Sequence, residues 1–157
     1  MSYVQLQETN SGNVLIMIFA EGTILRPKSL FSLHNHQSYI PIGNCIEIIW
    51  HWQKQGTEIV YCTSRKGKQA DEIAKLLLKH GFVGTRLYYR SDQMRKYKDL
   101  VENVKPTILI EDNCRSIGGA WQMCITDVEQ SVKAQINSIV VKEFDGIDHL
   151  SKNLFDL

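Results

Sequence analysis

The sequence has no apolar run near the ~20 residues that a helical membrane span needs. It has no CxxC pair. Its four cysteines, Cys45, Cys62, Cys114 and Cys124, share no repeated interval, and in a chain with this much apolar material reduced thiols are favoured over a disulfide framework. Charge of either sign is not in excess: 18 Lys and Arg stand against 17 Asp and Glu, a formal net charge of +1. That balance argues against nucleic acid or an anionic membrane as a general partner, while leaving a local basic patch open. The N-terminal stretch MSYVQLQETNSGN has neither a basic start nor an apolar core segment. No secretory signal is expected, and the cytoplasm is the expected location. Internal repeats and low-complexity tracts are also missing.

What is there suits one globular domain over residues 1–157, with 43% apolar and 22% charged residues. Residues 1–12 are polar and read as a loose tail or a short edge segment. Val14 to Phe19 are six apolar residues in a row, which suits a strand buried on both faces. Residues 24–43 carry Pro27, Pro41 and Gly43 without a sustained period and predict a long loop. Asn44 caps a predicted helix running to about Gln55, with Ile46, Ile49, Trp50 and Trp52 as its apolar set. Strand and helix then alternate. Glu58 to Cys62 read as a strand, Gly67 to His80 as a helix with Ala70, Ile73, Ala74 and Leu77 on one face, and Thr85 to Tyr89 as a strand. A helix from Asp92 to Val104 and strands at Thr107 to Glu111 and Ser138 to Lys142 follow. Residues 126–135 suggest a short helix. The alternation predicts a three-layer Rossmann-like α/β fold with a five-stranded parallel sheet, ordered third, second, first, fourth, fifth.

In open parallel sheets, ligands bind beyond the carboxyl ends of the strands. Those ends carry Phe19-Ala20-Glu21-Gly22-Thr23, Thr63-Ser64-Arg65 and Glu111-Asp112-Asn113. Acid, hydroxyl and acid at three adjacent strand ends suit a site for phosphate and magnesium. Taken in order on alternating elements, these motifs resemble the haloacid dehalogenase superfamily of phosphohydrolases, from Val14 to about Leu150. The resemblance implies a small member with the loop 24–43 in place of a cap domain.

The resemblance also assigns roles. In that family the first strand ends in Asp-x-Asp-Gly-Thr, whose first aspartate attacks phosphorus and whose second is the general acid and base. Here Phe19 stands at the nucleophile position and Glu21 at the second. A phenyl ring can neither attack nor bind a hard cation. Gly22 and Thr23 complete the loop motif as phosphate contacts. Thr63, supported by Ser64, would donate to a phosphoryl oxygen, aided by the N-terminus of the following helix. A capping role for the Thr63–Ser64 pair is the structural alternative. Lys98, with Lys96 as its rival, would neutralise the phosphate. Asp112 would hold magnesium, weakly, since one strong ligand is missing.

Three functions stay open at this point. The leading one is a degenerate protein that binds a phosphorylated small molecule or macromolecule without aspartyl-phosphate chemistry. The second is a magnesium-dependent hydrolase using another nucleophile, such as water held by Glu21 or Asp112, or Cys114. The third is a non-catalytic interaction module with an exposed apolar patch around Phe19, Phe31 and Tyr39. Of the weaker features, His34-Asn35-His36 lacks the ββα-metal context of a nuclease and reads as exposed loop histidines. Arg86, Arg90, Arg95, Lys96 and Lys98 around Tyr88, Tyr89 and Tyr97 read as ordinary solvated charges.

Overall fold

A computed structural model describes residues 2–8, 12–90, 97–115 and 121–157; the side chains of 114–115 and 121–122 are not described. Among the described residues, six strands form the central sheet: β1 (Tyr3–Gln5), β2 (Val14–Phe19), β5 (Thr57–Cys62), β6 (Arg86–Tyr88), β7 (Ile108–Asp112) and β10 (Asn137–Val141). Two short ribbons lie outside it, pairing β3 (Leu25–Arg26) with β4 (Ile40–Pro41) and β8 (Cys114–Arg115) with β9 (Trp121–Gln122). The helices are α1 (Cys45–Lys54), α2 (Lys68–His80), α3 (Tyr97–Val104), α4 (Cys124–Asp127) and α5 (Gln130–Lys133).

The sheet order is β1-β6-β5-β2-β7-β10. The five strands expected from the sequence run parallel in the expected order, with β2 at the centre. The sheet has a sixth strand, however. β1 pairs antiparallel with β6, Tyr3 opposite Tyr88, so this part of the polar N-terminal stretch is an edge segment and not a loose tail. The Tyr3 ring meets the Tyr88 ring at 5.8 Å and lies under the Arg86 guanidinium at 4.6 Å. These contacts give a short strand side-chain support beyond its few ladder bonds.

The layers follow from the period-2 alternation of buried strands. Ile16, Ile18, Ile59, Tyr61, Ile108 and Ile110 face one side, where α1 and α2 supply Ile48, Ile49, Trp52, Ile73 and Leu77. Met17, Val60, Cys62 and Leu109 face the other, against Leu100 and Val101 of α3 and Ile125 of α4. The apolar face of α1 differs from the expected one. Cys45, Ile48, Ile49 and Trp52 are buried, a clean i, i+3, i+4, i+7 set. Trp50 points outward, with the Lys54 ammonium 3.9 Å from its ring centre. Trp52 is fully buried and its indole N–H donates to Ser151 O at 2.9 Å, which pins the C-terminal segment to α1.

Helix ends behave as their residues require. Gly81 closes α2 in the left-handed region at φ 86°, its N–H reaching Leu77 O and Leu78 O. Asn44 precedes α1 without a side-chain cap; instead its own N–H donates to Asp148 Oδ1 at 2.9 Å. The start of the helix expected from Asp92 lies outside the described residues. Residues 126–135 hold the end of α4 and all of α5, separated by Val128 and Glu129, whose backbone angles are not helical.

Candidate functional site

The chain runs β2, β5, β6 to one side of the centre and then β7, β10 to the other. The reversal falls between β2 and β7, the place where open α/β sheets form their crevice. A cleft of about 740 Å³ opens there, lined among others by Phe19, Glu21, Ser64, Lys98, Asp112 and Glu143.

Phe19 closes β2 opposite Cys62. Its ring packs on the Met17–Leu109 side of the sheet and meets the Tyr97 ring edge to face at 5.9 Å. It is half-buried and forms part of the cleft wall. The end of β2 therefore presents a phenyl ring to the cleft.

Glu21 is held by the end of β5. Its Oε1 accepts Thr63 Oγ1 at 2.7 Å; its Oε2 accepts Ser64 N at 3.0 Å and Ser64 Oγ at 2.6 Å. Thr63 is buried and its Oγ1 also accepts Arg65 N at 3.2 Å. The backbone on either side of Glu21 is tied down: Ala20 O accepts Ile24 N and Leu25 N, and Gly22 N donates to Leu25 O at 2.9 Å. Helix α2 begins only at Lys68, with Gly67 at its cap position. Thr63 and Ser64 thus do not cap that helix, contrary to the capping alternative.

Thr23 and Gly22 have structural work that the sequence reading did not foresee. Thr23 is fully buried and its hydroxyl donates to Asp112 Oδ1 at 2.8 Å. Gly22 stands at φ 89°, and a Cβ there would lie 2.5 Å from Asp112 Oδ2. The loop after β2 thus presses against the carboxylate that ends β7, and only glycine fits. The Gly22 amide donates to Leu25 O and the Thr23 hydroxyl to Asp112.

Asp112 and Glu111 are both buried, on opposite faces. Glu111 accepts Cys124 N at 2.5 Å and Ile125 N at 3.0 Å, satisfying amides at the start of α4. Burial nevertheless holds its carboxyl above the ordinary range. Asp112 has the Thr23 hydroxyl as its donor; burial pushes its carboxyl up to about 6, against the pull of that bond. Glu143 and Glu21 raise it further through their charges.

Lys98 lines the cleft from α3 and forms an i, i+4 ion pair with Glu102 at 3.9 Å. Lys96 lies outside the described residues. Arg90 also lines the cleft, its guanidinium 4.3 Å from the Tyr97 ring centre. Burial raises the Tyr97 hydroxyl to about 12.

Glu143 and Phe144 belong to the site and were not singled out from the sequence. Phe144 adopts φ 66°, rare for a residue with a Cβ. Its N–H donates to Gly22 O at 2.8 Å, while Glu143 N donates to Asn113 Oδ1 at 3.0 Å. The loop after β10 is thereby sewn to the loops after β2 and β7. The rule that drew attention to the other strand ends applies equally to the fifth strand and would have found both residues.

No group of three or more His, Cys, Asp or Glu among the described residues is arranged to hold a metal. The Cys62 thiol is buried and its pKa is raised well above the ordinary value, which makes it a core residue and not a nucleophile. The side chain of Cys114 lies outside the described residues. His34 is exposed, but His36 is half-buried: its ring stacks near Tyr39 at 5.1 Å and its Nε2 contacts the Arg65 guanidinium. Burial and that cation hold its pKa down. The expected apolar patch is also redrawn. Tyr39 is buried and Phe19 half-buried, whereas Leu30 and Phe31 project into solvent.

No known family profile matches the sequence, and no curated protein matches it. Among solved structures, a chain of the Pnkp1/Rnl/Hen1 RNA repair complex superposes with a TM-score of 0.60 at 11% identity, covering 88% of this chain and 46% of that one. This chain therefore spans about half the length of that structure. The D,D-heptose 1,7-bisphosphate phosphatases of B. bronchiseptica, complexed with magnesium and phosphate, and of Burkholderia thailandensis superpose with TM-scores of 0.48 and 0.47. Their identities are 12% and 13%, over 84% and 88% of this chain and 94% and 99% of theirs. Identities this low speak to fold. That fold is a three-layer, Rossmann-like α/β arrangement.

Proposed function

We propose that this protein binds a phosphorylated ligand in the cleft between β2 and β7 without aspartyl-phosphate chemistry. The observation that carries the proposal is the Phe19 ring at the end of β2, in the cleft wall where a nucleophilic carboxylate would stand. In this reading Thr63 and Ser64 donate to the phosphate and Lys98 supplies positive charge from the border. Glu21 is the remaining acid. Magnesium usually needs only one or two protein carboxylates and keeps several waters. Asp112, backed by Glu143, fits that modest requirement and would hold the ion weakly, where it would lower the charge on the phosphate. In this reading the loop 24–43, in place of a cap, leaves the cleft open to a larger phosphate, and the fold shared with a chain of an RNA repair complex keeps macromolecular phosphates among the candidates.

The test is a magnesium-dependent phosphatase assay on the wild type, Phe19→Asp and Asp112→Ala. The wild type is expected to show little turnover of a generic phosphate ester. Phe19→Asp is expected to gain metal-dependent activity, provided Asp112 and Lys98 keep their places. Robust wild-type turnover that survives Glu21→Gln but disappears in Asp112→Ala would refute the silencing role of Phe19.

A second reading, an interaction module, has its own observation. Leu30 is 85% exposed and Phe31 is fully so, on a turn braced by the Ser29–Ser32 hydrogen bonds. Such a fixed apolar tip suits contact with another macromolecule. A crystal soaked in magnesium and tungstate separates the two: density at Ser64 and Asp112 supports the first, an occluded cleft the second.

A further inference from the structure

We propose that Glu21 is the internal occupant of the anion site and sets its ligand requirement: an oxyanion enters only together with a divalent cation that neutralises the displaced carboxylate. This rests on the phosphate-binding reading above and deepens it.

Three donors at the end of β5 converge on one carboxylate: Thr63 Oγ1 at 2.7 Å, Ser64 N at 3.0 Å and Ser64 Oγ at 2.6 Å. Each hydroxyl and each amide has a single proton to give. Thr63 Oγ1 already accepts the Arg65 amide at 3.2 Å, which leaves its own proton aimed at Glu21. An external oxyanion at this strand end needs the same three protons. It cannot have them while Glu21 keeps them.

The displaced carboxylate has little choice of destination. Ala20 and Gly22 are both buried and hydrogen-bonded within the loop, so the backbone stays and the side chain must turn into the cleft it lines. The cleft is already rich in acid: Glu111, Asp112, Asp127 and Glu143 line it along with Glu21, against Arg90 and Lys98. Lys98 is engaged by Glu102, and Arg90 lies over the Tyr97 ring. A bare phosphate would thus force one more carboxylate among like charges while adding its own. A divalent cation beside Asp112 and the freed Glu21 removes both penalties at once. Phosphate and magnesium are thereby positively linked, and Glu21 is the side chain that links them.

The experiment measures inorganic phosphate binding by calorimetry or phosphorus NMR, with and without magnesium, in the wild type, Glu21→Ala and Glu21→Gln. The wild type is expected to bind phosphate about tenfold tighter with magnesium than without. Glu21→Ala is expected to bind phosphate without magnesium about tenfold tighter than the wild type does, with most of the magnesium dependence gone. Glu21→Gln keeps the shape but not the charge and should fall between, which covers the case in which the alanine variant does not fold. Adding Thr63→Ala and Ser64→Ala to Glu21→Ala should abolish the gain. Equal phosphate affinity in the wild type and Glu21→Ala without magnesium would overturn the role of Glu21 alone. No phosphate binding in any variant, with or without magnesium, would overturn the ligand reading and this inference together.

Discussion

Glu111 and Asp112 are neighbours in the chain and are both buried, yet they live in different electrostatic regions. Glu111 faces the α3–α4 side and receives two backbone amides from the start of α4. Asp112 faces the opposite side and receives one hydroxyl, from Thr23. Across the cleft, half-buried Glu21 receives three donors from Thr63 and Ser64. A carboxylate that organises backbone amides is part of the scaffold, because its removal strands them. One that has been buried with few donors is a liability to the fold, and such liabilities cluster at sites of function. The difference assigns Glu111 to the architecture and Asp112 to the site.

That division can be broken most strongly at Glu111. Glu111→Ala should lower stability by roughly 2–4 kcal/mol, from two unsatisfied amides and a cavity. Chemical denaturation reads this, and a loss below about 1 kcal/mol would remove Glu111 from the scaffold.

Asp112→Asn should act in the opposite direction. A carboxyl whose folded pKa is near 6 against 3.8 in the unfolded chain binds its proton more tightly when folded. Its contribution is then unfavourable at high pH: stability falls as pH rises from about 4 to about 6 and stays lower above that. Asp112→Asn should therefore gain roughly 2–3 kcal/mol at pH 7.5 and nearly nothing at pH 4. Part of the slope should persist in the variant, since the Glu111 and Glu143 carboxyls are shifted the same way. A pH-independent effect of the substitution would contradict the burial argument.

Thr23→Val sharpens the same point from the donor side. It removes the one hydroxyl that supports ionised Asp112 and should cost roughly 1–2 kcal/mol at pH 7.5. The cost should shrink at pH 4, where Asp112 is protonated. An equal cost at both pH values would mean that Thr23 matters for packing alone.

The smallest expected effect is at the tip that neither region uses. Phe31→Ser should change stability by less than about 0.5 kcal/mol, because the ring is fully exposed. A loss above about 1 kcal/mol in the same denaturation experiment would show that the ring is packed against something.

Much of this was legible beforehand. The apolar runs at Val14 to Phe19 and Ile108 to Ile110 could only be strands covered on both faces, and their alternation with helices dictated a parallel sheet. That the run from Val14 ends in Phe19, a side chain without an oxygen, could be read straight from the chain. The partner of each polar group could not. Whether Thr23 faces a ligand or Asp112, whether Ser64 caps a helix or holds Glu21, and whether Trp50 or Trp52 is the core tryptophan each depend on a contact across many residues. The Thr23–Asp112 bond spans 89 positions and the Glu21–Ser64 bonds span 43. Sequence pattern is a local record of periodicity, and it determined the strands and the helices. Hydrogen-bond partnership is decided only when a three-dimensional neighbour competes for the same proton, so the tertiary structure alone determined that the Thr63 and Ser64 donors at the end of β5 are taken by Glu21.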